Sequence, residues 1–439
     1  MMKNKVAFQT LGCKLNYSET STIGSQFVKH SFRIVDFKDK ADVYVLNTCS
    51  VTETAERECR QLIRRALRQN PEAYIIVTGC YAQLRPDEIA KIEGVDAVLG
   101  SSEKFKLFSV LENFEKQGLS CVFVNPIEEA NDFGVAHSTD ADSRTRAFIK
   151  IQDGCDYSCA FCTIPLARGS SRSLSIDKTV EQFKTLINDN YKEIILTGVN
   201  LGDYGKNINS NLFELISQLI NIDGEFRIRI SSVEPNLITD DLLKLISESE
   251  KVCNHLHIPL QSGSSKILKA MQRRYTVDDY KNLIYKAKEI IPELSIGVDV
   301  IVGFPGETEE DFIQTHNFLR DLPVSYLHVF TYSERPDTTA VNLPLPVDVI
   351  ERKRRNNILR ILSDKKKKLF YSEMMGTLQE VLFEHSNYDE KMQGFTSNYI
   401  KVKRDFNRLL TNKLTTIRLT EIDGDECIGE ILPEKMQLT

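Results

Sequence analysis

The chain has 439 residues, 41% of them apolar and 27% charged, with a net charge of −6 and a pI near 5.8. It is too long for one ordinary core, so two or three domains are expected. No apolar run approaches the ~20 residues of a membrane span, and the start MMKNKVAFQT has no signal-peptide apolar core. No membrane association is therefore expected, and the chain is placed in the cytoplasm. Thiols stay reduced there, so ten cysteines suggest metal rather than disulfides. The acidic balance argues against wholesale coating of nucleic acid but leaves room for a local basic patch.

Residues 3–115 alternate short apolar runs with helical patterns. Val6–Phe8, Val43–Leu46 and Tyr74–Val77 read as strands; Glu53–Gln69 reads as a helix with Ser50 and Glu53 at capping-box spacing. The alternation predicts an α/β class with an open, mostly parallel sheet. Asn131–Arg146 is polar and patternless and reads as a linker. Strand candidates resume at 147–152, 193–198, 226–231, 255–260, 296–302 and 325–331, with helices such as Val277–Ile290 between them. Six such units suit a partial (βα)6 barrel within 141–369 better than a closed eight-unit one. A helix rich in basic residues, about 348–369, follows. Within residues 371–436, Leu378–Phe383, Tyr399–Val402, Thr416–Thr420 and Cys427–Leu432 read as short strands separated by turns such as Asp423-Gly424-Asp425. They suggest a small antiparallel β-barrel.

Six cysteines carry the chemistry. Cys155, Cys159 and Cys162 form C-x3-C-x2-C just after the first strand of the partial barrel, at the end where such folds place their active sites. Zinc prefers four closed ligands in paired C-x2-C halves, and no fourth ligand lies nearby; the nearest upstream histidine is His137, in the linker. Cys13, Cys49 and Cys80 each follow a strand-like run, with Gly12 and Gly79 before two of them. The carboxyl ends of parallel strands share one edge, so the three can converge although they lie far apart in sequence. Cys59, Cys121, Cys253 and Cys427 lack this placement and are assigned to packing. A cubane cluster held by three thiolates keeps one iron for another ligand.

C-x3-C-x2-C after the first barrel strand resembles the radical S-adenosylmethionine (SAM) enzymes. Thr10-Leu11-Gly12-Cys13-Lys14-Leu15-Asn16, Asn47-Thr48-Cys49-Ser50-Val51-Thr52 and Thr78-Gly79-Cys80 resemble the methylthiotransferase N-terminal domain. The region after Tyr371 is similar to the RNA-binding TRAM domain, so the resemblance covers nearly the whole chain. The first motif and Gly198-Val199-Asn200-Leu201-Gly202-Asp203-Tyr204-Gly205 resemble the branch acting on N6-threonylcarbamoyladenosine in tRNA. Lys14 stands where the ribosomal-protein branch has Pro, and Leu15 replaces the family's usual Val.

The resemblance implies two [4Fe–4S] clusters and SAM. Cys155, Cys159 and Cys162 would hold the cluster that cleaves SAM to a 5′-deoxyadenosyl radical. Cys13, Cys49 and Cys80 would hold an auxiliary cluster carrying the sulfur to be transferred. Strand-end segments imply cofactor contacts at Gly198, Asn200, Ser232, Glu234, His257, Gln261, Arg273 and Gly303; each has the alternative of a helix cap or a turn. Phe161 either packs in the core or contacts adenine. The reaction implied is insertion of sulfur and a methyl group at C2 of the adenine just 3′ of the anticodon. Its partners would be the anticodon stem-loop of ANN-decoding tRNAs and an electron donor such as flavodoxin or ferredoxin.

Lys401, Lys403 and Arg404, with Phe406 for stacking, suit backbone-tracking RNA binding by the terminal barrel. A second basic run comprises Arg352, Lys353, Arg354, Arg355, Arg360, Lys365, Lys366, Lys367 and Lys368. Competing readings are methylthiolation of isopentenyladenosine tRNA or of a ribosomal-protein side chain, and a non-catalytic RNA-binding metalloprotein.

Overall fold

The computed structural model describes residues 4–49, 53–111, 113–127, 133–136, 145–384 and 390–431. Ser50, half of the expected capping box, and most of the polar stretch read as a linker lie outside these residues. The chain forms two compact units: Met1–Thr139 with Phe148–Leu174 and Ser333–Thr338, and Asp140–Ala147 with Ser175–Tyr332 and Thr339–Thr439.

The first unit is built on a six-stranded sheet of β1 (Lys5–Thr10), β2 (Arg33–Val35), β3 (Val43–Thr48), β4 (Tyr74–Gly79), β5 (Ala97–Leu99) and β6 (Cys121–Phe123), in the order β2-β1-β3-β4-β5-β6. Every pair is parallel. β3 and β4 are buried along their whole length, which is why they read as unbroken apolar runs instead of alternating ones. Their residues still alternate between two cores. Tyr44, Leu46, Ile75 and Val77 pack with Ile63 of the helix Glu53–Gln69 on one face. Val43, Val45 and Ile76 pack with Ile23 and Phe27 of the helix Lys14–Lys29 on the other. Phe27 anchors an aromatic group there, with edge-to-face partners Phe8, Phe32 and Phe108.

β7 (Arg146–Lys150) leads from the second unit back into the first. After it, β8 (Gln152–Asp153) and β9 (Arg172–Ser173) pair antiparallel, Gln152 with Ser173 and Asp153 with Arg172. This two-residue ribbon closes the base of the loop that carries Cys155, Cys159 and Cys162.

In the second unit, β10 (Glu193–Thr197) pairs in parallel with β11 (Arg227–Ile230). β12 (His255–His257), β13 (Ser295–Val302) and β14 (Tyr326–Thr331) form a parallel trio. Bridges at Ile228–Val252 and Ser232–His257 carry the sheet from β11 to β12. The Thr145 carbonyl, just ahead of β7, accepts from the Glu193 N–H, so the sixth strand enters beside β10. The result is the partial barrel expected from six units. Its helices start on side-chain caps, with full capping boxes at Thr276/Asp279 and Thr308/Asp311.

β15 (Leu378–Phe383), β16 (Lys391–Thr396), β17 (Lys401–Asp405), β18 (Leu414–Asp423) and β19 (Glu426–Ile431) close into a barrel in the order β15-β16-β17-β19-β18. Closure uses one parallel contact, Val402 with Cys427; the other pairs are antiparallel. Phe370, Tyr371 and Met374, at the end of the helix Val349–Glu373, plug its core against Val381, Phe383, Met392 and Ile417. Arg227 and Arg229 clamp the barrel onto β11. Their guanidiniums donate to the carbonyls of Glu380 (3.2 Å), Phe395 (2.7 Å), Ser397 (2.9 Å) and Thr396 (3.1 Å), and both grip the buried Glu193 at 2.7–2.9 Å.

The basic run on Val349–Glu373 is not one solvated face. Arg352, Arg355 and Lys366 turn inward: Arg352 donates to the Tyr332 and Val347 carbonyls, Arg355 pairs with Glu307 at 2.6 Å, and Lys366 caps the carbonyls of Arg320 and Leu322. No helix among the described residues is long and apolar enough to cross a membrane.

Candidate metal centres and cofactor site

In the first unit, Cys13, Cys49 and Cys80 leave the carboxyl ends of β1, β3 and β4, three adjacent strands. Two glycines at positive φ let these ends close up. A Cβ on Gly12 (φ +104) would lie 2.9 Å from Cys49 Sγ, and one on Gly79 (φ +99) would lie 2.3 Å from the Thr48 carbonyl oxygen. Asn16, on the first turn after Cys13, fastens the edge: its Nδ2 donates to the carbonyls of Leu11 (2.8 Å) and Thr48 (3.1 Å), and its Oδ1 lies 4.0 Å from Cys13 Sγ. Cys49 and Cys80 are buried; Cys13 opens to solvent on one side. Cys13 is nevertheless ringed by enough protein that lost hydration pushes its thiol pKa up, with Arg168 pulling it down and Cys80 close enough to add to the rise.

The second triplet sits on the loop closed by β8 and β9. Gly154 has φ +74, and a Cβ there would lie 2.1 Å from the Ser170 carbonyl oxygen, so only glycine fits. The Cys155 N–H donates to the Gly169 carbonyl (3.0 Å), and Gln152 Nε2 donates to the Gly154 carbonyl (2.8 Å) and to Ser171 Oγ (2.9 Å). Two backbone N–H groups point at sulfur: Tyr157 at Cys155 Sγ (3.4 Å) and Ile164 at Cys162 Sγ (3.5 Å). Such donors favour thiolate and cluster-bound sulfur. Cys155, Cys159 and Cys162 are half-buried, as is Phe161.

Among the described residues no three Cys, His, Asp or Glu side chains stand at the separations of a closed metal site. The fit to iron–sulfur clusters therefore rests on donor chemistry: two all-thiol sets of three, glycines that admit close approach, and N–H groups aimed at sulfur. Of the remaining cysteines, Cys59, Cys253 and Cys427 are buried and Cys121 is half-buried.

Apart from Phe161, the residues expected around SAM lie in the second unit. Gly198 follows β10. Asn200 Oδ1 accepts from the N–H groups of Gly202 (3.2 Å) and Glu234 (3.3 Å), and its Nδ2 donates to Asp203 (3.0 Å). Arg273 is bound within the protein, paired to Glu234 and donating to Tyr275 Oη at 3.1 Å. Burial pushes the Glu234 carboxyl up while Arg273 holds it down. His257 joins Ser232 Oγ (2.8 Å at Nδ1) to Asp299 (2.9 Å at Nε2), a polar chain across β12 and β13. Gln261 holds φ +72, its N–H on the Asp299 carbonyl at 2.8 Å. At Gly303 the missing Cβ makes room for Arg352 Cγ, 2.3 Å from where it would stand, and the Gly303 N–H binds Glu307 at 3.1 Å. That glycine serves helix packing.

On the terminal barrel, Lys401 pairs with Glu426 at 2.7 Å and Lys403 with Asp423 at 2.6 Å. Arg404 lies over the Phe383 ring, and Phe406 is half-buried against the barrel core. The positive charge of β17 is thus largely offset by its own neighbours.

Sequence reasoning missed the buried charge group of the first unit. Arg168 Nη1 holds Glu19 (3.0 Å) and Asp153 (2.9 Å), while Nη2 holds Asn16 (2.7 Å). Lys104 reaches Glu19 at 2.6 Å, and Lys150 reaches Asp153 at 3.0 Å and Glu19 at 3.4 Å. Burial alone would push Glu19 up; Arg168, Lys104 and Lys150 instead hold it at about 2, and Lys150 and Arg168 likewise hold Asp153 far below its ordinary value. Nothing local in the sequence marks these residues, because their partners lie up to 152 positions away.

The Radical SAM superfamily profile matches residues 149–319, and that of Uncharacterized protein family UPF0004 matches residues 5–100. A Bacillus subtilis protein, threonylcarbamoyladenosine tRNA methylthiotransferase MtaB, is 42% identical over 90% of this chain and 89% of its own. The Aquifex aeolicus protein of the same name is 41% identical over 91% and 97%. A Clostridium tetani tRNA-2-methylthio-N(6)-dimethylallyladenosine synthase is 32% identical over 97% and 96%. Among solved structures, a radical SAM methyltransferase from Kitasatospora setae, TsrM, with cobalamin and a [4Fe–4S] cluster bound, aligns at TM-score 0.57 and 15% identity over 77% of each chain, a likeness of fold. With two thiol triplets on one unit, a partial βα barrel beside a closed C-terminal barrel, and full-length relatives of this identity, the chain belongs to the radical S-adenosylmethionine methylthiotransferases, enzymes that work with SAM and [4Fe–4S] clusters.

Proposed function

We propose that this enzyme methylthiolates C2 of N6-threonylcarbamoyladenosine in tRNA, at the nucleoside just 3′ of the anticodon, and that it does so in the cytoplasm. The observation that carries the reading is the 42% identity over 90% of the chain to a relative named for that substrate, against 32% to one named for dimethylallyladenosine.

On this reading Cys155, Cys159 and Cys162 hold the radical cluster and Cys13, Cys49 and Cys80 the auxiliary one. When bound, such clusters supply the electron that cleaves SAM and a site for the sulfur to be transferred. The chain's own part is placement. Gly154 and the β8–β9 ribbon hold the radical loop, with Tyr157 and Ile164 donating to its sulfurs. Gly12, Gly79 and Asn16 gather the other three thiols at one sheet edge. Asn200, Glu234 and Arg273, joined by one set of bonds, and Ser232 and His257, joined by another, orient the cofactor together with Gly198, Gln261 and Gly303. The tRNA contact is the anticodon stem-loop of ANN-decoding tRNAs, with Lys401, Lys403 and Arg404 on its phosphates, and the electron comes from a flavodoxin- or ferredoxin-type donor.

The test uses anaerobically purified enzyme with SAM and reductant. It is offered tRNA bearing threonylcarbamoyladenosine, tRNA bearing isopentenyladenosine, and a ribosomal-protein peptide, with products read by mass spectrometry. We expect the 2-methylthio product on the first alone. Product on either of the others and none on the first overturns the substrate assignment.

A further inference from the structure

The buried charges around Arg168 do not balance. Lys104, Lys150 and Arg168 are 1%, 0% and 1% exposed, and they face two carboxylates, Glu19 at 0% and Asp153 at 7%. Each ion pair these cations make among the described residues ends on one of those two. Arg172, 3.9 Å from Asp153, adds another cation at the margin. A buried charge without a partner costs several kcal/mol, so a fold that keeps a surplus cation inside has an anion to offer it.

Beyond Asn16 and Glu19, which Nη2 of Arg168 touches, the charge of the guanidinium is felt at Cys13 and Cys80. Its Nη2 lies 2.7 Å from Asn16 Oδ1, which in turn lies 4.0 Å from Cys13 Sγ. Cys80 is within electrostatic reach of the same guanidinium. Thiols are neutral; three metal-bound thiolates are not, and a thiolate-held cluster is an anion whose potential follows the charge around it. The other arm of Arg168 reaches the second triplet. Nη1 holds Asp153 Oδ1, which also accepts the Gly154 N–H at 2.9 Å, next to Cys155. The helix Ile164–Arg168 also brings the Ala167 carbonyl to Ser101 Oγ at 2.8 Å, pinning it to the sheet domain. One guanidinium therefore bridges the loops of both triplets.

We propose that Arg168 is a positioning residue that ties the two cysteine triplets into one framework, and that the surplus positive charge gathered around it is the counter-charge of an anionic iron–sulfur cluster on Cys13, Cys49 and Cys80. The inference rests on the ligand assignment made above, and its test separates the two.

The test uses the full chain with Cys155, Cys159 and Cys162 replaced by Ala, so that one cluster remains, reconstituted anaerobically to about four irons per chain. Into this parent go Arg168→Gln, Arg168→Lys and Lys104→Met, each followed by a redox titration read by electron paramagnetic resonance. Removing a nearby positive charge disfavours the added electron. Arg168→Gln and Lys104→Met should each lower the reduction equilibrium constant about tenfold, a fall of about 59 mV for one electron. Arg168→Lys keeps the charge and should stay within about threefold, but it loses the fork. Amide exchange at residues 14–16 and 153–155 should then speed up together. A parent without iron sinks the ligand assignment itself. Four irons with an unchanged potential in both charge-removing variants overturns the counter-charge while leaving that assignment standing. Exchange unchanged at either loop in Arg168→Lys overturns the positioning role. If Arg168→Gln does not fold, Lys104→Met decides the charge and Arg168→Lys the positioning.

Discussion

Each unit buries a carboxylate among cations, Glu19 in the first and Glu193 in the second, and the two groups do different work. Around Glu193, Arg227 and Arg229 spend their remaining N–H groups on four carbonyl oxygens of the terminal barrel. The surplus charge disperses into fixed backbone dipoles, and the group is a structural clamp. Cys253 beside it is a lone buried thiol, pushed up by burial and pulled down by the two arginines. Around Glu19 the leftover charge faces Asn16 and two of three converging cysteines. The residue types are the same; where the spare donors point separates a clamp from a site.

The largest effect should come from breaking the clamp. Arg229→Met leaves Glu193 short of two of its three bonds to arginine and two barrel carbonyls without their donor. We expect a loss of about 3–5 kcal/mol in urea unfolding; a loss under about 1 kcal/mol would mean the barrel is held by other contacts.

Next are the glycines that shape the thiol loops. Gly154→Ala meets the Ser170 carbonyl at 2.1 Å, so the loop must open. Iron should fall from about eight to about four per chain and deoxyadenosine formation should stop. Gly79→Ala should remove the other half. Gly118→Ala makes the control: its φ is +75 but nothing lies within 4 Å, so it should cost only backbone strain of about 1 kcal/mol and leave iron intact. Full iron in Gly154→Ala would detach the glycine from the cluster.

Acid sharpens the same contrast. Folding lowers the Glu193 carboxyl below its ordinary 4.5, because Arg229 and Arg227 outweigh the burial that would raise it. Below 4.5 the unfolded chain takes up the proton first. The clamp's stability is therefore complete above pH 4.5 and lost as pH falls below it. Thermal melting from pH 6 down to about pH 3 should show a steep acid limb that Glu193→Gln flattens; an unchanged limb would place the acid sensitivity elsewhere.

The smallest effect belongs to the outer lysines. Lys401 and Lys403 already answer to Glu426 and Asp423, and exposed pairs contribute at most about 1 kcal/mol. Replacing both by Ala should barely move stability. It should weaken tRNA binding modestly and flatten the salt dependence by no more than about two phosphate contacts. An unchanged salt slope would remove β17 from the RNA surface.

Much of the fold was legible from local pattern. Glu53–Gln69, Val277–Ile290 and Leu378–Phe383 form as read, because each carries a full period of apolar positions bounded by a cap or turn. The three-residue strands Arg33–Val35, Ala97–Leu99 and Cys121–Phe123 were missed, being too short to show any period. β16 was missed as well, since Gly394 interrupts its alternation just where the Leu382 carbonyl comes within 2.4 Å of an added Cβ.

By itself the sequence determined which chemistry is available: two sets of three thiols, one set by close spacing and the other by strand ends that parallel pairing brings to one edge. It also determined the order of open sheet, partial barrel and closed barrel, because a polar stretch parts the first two and the helical pattern gives way to short strands at the third. Only the tertiary structure decided the fate of the long charged side chains. Arg352, Arg355 and Lys366 turned inward, Lys401 and Lys403 found acidic neighbours, and Arg168 joined loops that hold both triplets. A thiol's role follows from the strand it ends, whereas a guanidinium's role follows from which partners, distant in sequence, the fold carries to its tip.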